Sequence, residues 1–66
     1  MPYVPMRDWL AKRSAMQEDW QNLKAAREVM RARGAQESVE EITYEMDELY
    51  ERWRDLYGGD IEEGME

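Results

Sequence analysis

The stretch SVEEITYEMDELYERWRDLY, residues Ser38–Tyr57, decides the fold. Its apolar residues Val39, Ile42, Met46, Leu49, Trp53 and Leu56 recur in an unbroken alternation of three and four. That spacing puts them on one face of a helix, and no proline or glycine interrupts it. Thr43, Tyr50 and Tyr57 lie on the adjoining column. They widen the apolar stripe to about three positions in seven, more than a two-stranded seam requires and normal for a helix with several neighbours. Ser38, with Glu41 three residues later, reads as a capping box at the start of this helix. Gly58-Gly59 marks its end.

Toward the N-terminus, residues 6–33 also lack proline and glycine and are rich in Ala, Arg, Gln, Glu, Met and Leu. These residues favour a helix, and a rod of this length would measure about 42 Å. Gly34 follows Arg31 and Arg33, so cations occupy the last turn before a residue that tolerates left-handed geometry. The first helix is less regular than the second. Trp9, Met16, Leu23 and Met30 recur at intervals of seven, with Ala26 beside them, and the companion column reads Arg13, Trp20, Arg27. The fold class expected is all-α: an antiparallel two-helix hairpin, with helices at 6–33 and 38–57 joined by a turn at 34–37. Pro2 and Pro5 make residues 1–5 an extended arm. Residues 58–66 read as an acidic flexible tail.

Folding about residues 35–36 places Met30 against Ile42, Leu23 against Leu49, Trp20 against Trp53 and Met16 against Leu56. Trp9 and Leu10 then overhang the end of the second helix. Sixty-six residues give a small core, and chains this short usually rely on a staple, a metal or a partner chain. The hairpin is therefore expected to complete a four-helix bundle, by dimerisation or by packing on a partner.

Composition narrows the chemistry. Cysteine and histidine are both absent. Disulfides, thiolate metal sites, the triad base and the commonest metal ligand are thereby excluded. A ferritin-like di-metal bundle would need Glu-x-x-His pairs, and no twelve-residue calcium loop is present. Gly58-Gly59-Asp60 has no following Lys-Ser/Thr and no helix after it, so it ends a helix and is not a phosphate loop. The expectation is a protein that is not an enzyme and needs no cofactor, metal or small-molecule substrate.

The net charge of −7 is unevenly divided. Residues 6–33 carry seven basic and four acidic side chains, whereas residues 34–66 carry two basic and twelve acidic. The basic run of Lys24, Arg27, Arg31 and Arg33 is thus expected to face Glu40, Glu41, Glu45 and Glu48 within the hairpin, favouring the antiparallel pairing. With so many carboxylates beside it, that run is not expected to bind nucleic acid directly. The N-terminus lacks the pattern of a secretory signal, and no window approaches a membrane span. The expected location is the cytoplasm, or a particle assembled from it.

Three tryptophans and four tyrosines, without a single phenylalanine, are the strongest bias in the composition. Such rings suit half-buried positions and are enriched at interaction hot spots. Trp9, Leu10, Tyr50, Tyr57 and Tyr3 are the candidate partner-binding residues. The leading function expected is a small protein–protein interaction module, such as an adaptor, assembly factor or regulator of the phage type, that binds a protein partner or a second copy. The alternative is an acidic mimic of nucleic acid that inhibits a DNA- or RNA-handling protein. Its face would carry Glu37, Glu40, Glu41, Asp47, Glu48, Glu51 and Asp55. A structural particle component is a third possibility.

Overall fold

The computed structural model describes the backbone over residues 6–64 and the side chains over residues 8–64. The arm expected at residues 1–5, with Tyr3, lies outside the described residues. Two helices, α1 (Met6–Ala32) and α2 (Gln36–Leu56), pack against each other, and the described residues contain no strand. Trp9 meets Tyr57 and Trp20 meets Tyr50 across the pair, which fixes an antiparallel arrangement.

The connection between the helices is shorter than expected, and its hydrogen bonds show why. Gly34 has φ +74°. Its N–H donates to the carbonyl of Arg31 at 3.1 Å, and the N–H of Ala35 donates to that of Met30 at 3.0 Å. This pair of bonds is a Schellman closure, and it requires a left-handed residue at the position Gly34 holds. Ala35 serves at once as the residue before α2, its carbonyl accepting from the N–H of Val39 at 3.0 Å. The expected capping box is therefore corrected. Ser38 lies inside the first turn of α2, whose N-terminus has no side-chain cap. The acidic Glu37 sits in that turn and favours the helix N-terminus electrostatically. Ser38→Ala should accordingly change stability by less than about 0.5 kcal/mol in urea unfolding, whereas loss of a true cap costs about 1 kcal/mol.

Starting α2 at residue 36 moves the pivot back to Gly34–Ala35 and shifts the pairing of the helices. Trp20 tilts against Tyr50 at 5.9 Å between ring centroids, where Trp53 was expected. Trp53 instead lies under the Arg13 guanidinium, 5.1 Å from its ring centroid, and packs on Tyr57 at 4.6 Å. Leu56, expected to meet Met16 in the seam, is 44% exposed. Because Tyr57 reaches back to Trp9, the expected overhang of Trp9 is not found: the end of α2 lies beside it.

The core follows the stripe of α2. Val39, Met46, Leu49 and Trp53 are buried, while α1 contributes Met16. Trp53 is 1% exposed and is the largest buried side chain. Trp20, Leu23, Tyr50 and Tyr57 pack around the cluster of Met16, Leu49 and Trp53.

A further residue completes that cluster, and it comes from the segment read as a flexible tail. Ile61 is fully buried, 0% exposed, against Met16, Leu49 and Trp53. The chain reverses after α2 through Gly58 and Gly59, at φ +73° and +72°. The N–H of Gly58 donates to the carbonyl of Arg54 at 3.0 Å, an αL closure of the helix. Residues 58–64 thus form a hook that packs back on the hairpin, because one aliphatic side chain gains more from the cluster than from water.

The charge pairing also differs from expectation. Among the described residues the ion pairs are Lys24–Glu62 at 3.0 Å and Arg31–Glu28 at 2.8 Å. The hook, not α2, supplies the partner of Lys24, and Arg31 is paired within its own helix. No described pair joins the basic flank of α1 to Glu40, Glu41, Glu45 or Glu48. The hairpin is held by its apolar stripe, with these exposed pairs adding under about 1 kcal/mol each.

Candidate interaction surfaces

Three surfaces can be built from these elements. The first is the open end of the hairpin, opposite the Gly34 turn. Trp9 and Leu10 are brought there by the first turns of α1, and Leu56 and Tyr57 by the last turn of α2. Trp9 is 42% exposed, Leu10 47% and Leu56 44%. The Trp9 and Tyr57 rings meet edge to face at 4.8 Å, and the Tyr57 hydroxyl donates to the Trp9 carbonyl at 3.3 Å. Of the expected partner-binding residues, Trp9, Leu10 and Tyr57 are therefore collected at one end. Tyr50 is not part of it, being half-buried under Trp20 in the middle of the hairpin. Leu56, at the same end of the hairpin, is exposed as well, although its place in the stripe gave no sign of that.

The second surface is the acidic side of α2. Glu37, Glu40, Glu41, Asp47, Glu48, Glu51 and Asp55 are all exposed, and none is in an ion pair with another described residue. Shallow, open depressions run along it, one lined by Glu40, Glu41, Tyr44 and Glu45, another by Glu51, Arg54 and Asp55. The neighbouring Glu48 carboxylate favours the neutral form of the Tyr44 phenol and raises its pKa. Among the described residues no group of three or more carboxylates is arranged to hold a metal ion.

The third surface is the groove under the hook. The side-chain amide of Gln17 donates to two hook carbonyls, Ile61 at 3.0 Å and Glu63 at 3.2 Å. Lys24 Nζ reaches both oxygens of Glu62, at 3.0 and 3.5 Å. The hook is shaped by an Asx turn in which the Glu62 N–H donates to Asp60 Oδ1 at 2.9 Å. Lys24 holds the Glu62 carboxyl below the usual glutamate range, outweighing the opposing effect of burial. The Trp20 indole assists electrostatically, but its N–H makes no hydrogen bond of ordinary geometry, so Lys24 is the main cause. A carboxyl lowered on folding stabilises the docked hook above its unfolded pKa. That contribution fades as the pH falls through the lowered value. Sequence reading missed this groove, although Ile61 is the one branched aliphatic residue after Gly58-Gly59. A turn-forming Asp60 directly before it was the available signal.

Among the described residues, no helix is long and apolar enough to cross a membrane. No protein-family model matches the chain, and neither a curated protein nor a solved structure shows a significant match to it.

Proposed function

We propose that this chain is a small, non-enzymatic protein–protein interaction module that binds through the aromatic and apolar end of its hairpin. The observation that carries this reading is the gathering of Trp9, Leu10 and Leu56, each more than two-fifths exposed, at one end beside Tyr57. Scattered single apolar residues need no explanation, but a group drawn from both helices at one end is what a partner covers. Tryptophan and tyrosine are also the side chains that most often dominate binding energy. The simplest partner is a second copy, its apolar end meeting this one across a two-fold axis to give a four-helix assembly.

The acidic side of α2 supports a second reading, an inhibitor that mimics nucleic acid. Its seven carboxylates point to water without cationic partners among the described residues. Such a field steers a basic partner and is screened by salt.

Retention of proteins from the native host on the immobilised chain separates the two readings. Binding that persists at high salt and is lost in the Trp9→Ala, Leu56→Ala double variant supports the apolar end. Binding that collapses with salt and survives those changes supports mimicry and overturns the first reading.

A further inference from the structure

The hook has the features of a ligand more than those of a structural element. It contains no helix or strand. It enters the hairpin through a single buried side chain, Ile61. Its hydrogen bonds with α1 are two backbone carbonyls on Gln17 and one carboxylate on Lys24. This is how grooves read short peptides: backbone polar groups give affinity, and one pocket and one charge give specificity. The pair Gly58-Gly59, both at positive φ, joins it to α2 outside either helix.

We propose that the groove holding Ile61 is a recognition site for an acidic peptide of another protein. The peptide would carry one aliphatic anchor followed directly by a glutamate, and residues 58–64 would be its built-in competitor. Gln17 would take the peptide carbonyls, Lys24 the carboxylate, and the Met16–Leu49–Trp53 cluster the aliphatic side chain. The hook keeps the groove closed until a segment of the same chemistry displaces it. Its polar contacts, Gln17 and Lys24, are not residues of the Trp9–Leu56 end, so its failure would leave the reading of that end intact.

Apparent affinity is the intrinsic affinity multiplied by the open fraction of the groove. The test uses the full-length chain and a fluorescent synthetic peptide spanning Gly58–Glu66, followed by anisotropy and by sedimentation of the complex. Wild-type protein should bind the peptide weakly. Ile61→Ala, made in the full chain to loosen its hook, should bind it about tenfold more tightly or better. Glu62→Lys loosens the hook from its exposed side without touching the core, and should give a gain in the same direction. A peptide with aspartate in place of the isoleucine should lose binding to both, as should Lys24→Glu in the Ile61→Ala chain.

Equal peptide binding by wild type and both variants would overturn the proposal. Loss of helical circular dichroism in Ile61→Ala would overturn it as well, because the hook would then be part of the core and not a displaceable ligand. Capture that occurs only as two chains join would assign the groove to a second copy's hook, and overturns it too.

Discussion

Trp53→Ala unfolds the hairpin. Trp53 is 1% exposed and joins every part of the structure: the Arg13 guanidinium from α1, Tyr57 at the end of α2, and Ile61 from the hook. Truncating a buried tryptophan to alanine costs about 3–5 kcal/mol, because the transfer energy is lost and the cavity is only partly refilled. A single core in a chain of this length supplies about 3–5 kcal/mol of net stability. The two quantities are of the same size, so the folded population should largely disappear. Helical circular dichroism at 25 °C should fall toward that of an unfolded chain. Trp9→Ala, at a position 42% exposed, should keep most of its helical signal. A Trp53→Ala protein as helical as wild type would show that Trp53 does not hold the core.

Leu10→Glu combined with Leu56→Glu should weaken self-association by about a hundredfold or more. Truncation alone costs more than about 1 kcal/mol at under a third of interface positions, so most of the loss comes from the added carboxylates, which would be desolvated without a cationic partner and would meet their symmetry mates across the two-fold axis. Fold stability should change little. Both leucines are more than two-fifths exposed, glutamate is nearly as good a helix former as leucine, and exposed substitutions usually stay within about 0.5 kcal/mol. Unchanged urea unfolding of the dissociated variant, together with lost association in size-exclusion chromatography, separates an interface effect from a folding effect. An unchanged association constant would remove these two residues from the interface.

The pattern of residues carried the two helices, since the period of α2 and the absence of proline and glycine from residues 6–33 are local signals that nothing else in the chain contradicts. The stripe also named the core correctly at Val39, Met46, Leu49 and Trp53. It failed at Leu56, and the reason is geometric. Gly34 and Ser38 each mark a helix boundary. Only the hydrogen bonds of the turn decide that Gly34 closes α1 and that α2 starts at Gln36. The consequence is the exchange of Trp20–Trp53 for Trp20–Tyr50, and the exposure of Leu56 at the open end.

The hook was illegible for a different reason. Periodicity cannot report a single residue, and the acidic composition around Ile61 argues for solvation. Docking of that one side chain depends on a pocket assembled from positions 16, 49 and 53, far from it in sequence. The uneven charge was visible from the start, but its partner choice was not. Lys24 turns to Glu62, because the hook brings a carboxylate to α1.

Sedimentation equilibrium of the wild-type chain at micromolar concentration is the most direct measurement of the central claim, that the apolar end is completed by a second copy of the chain. The prediction is a mass that rises with concentration to twice the 8.0 kDa of the chain. A single species of 8.0 kDa across the whole range would contradict it.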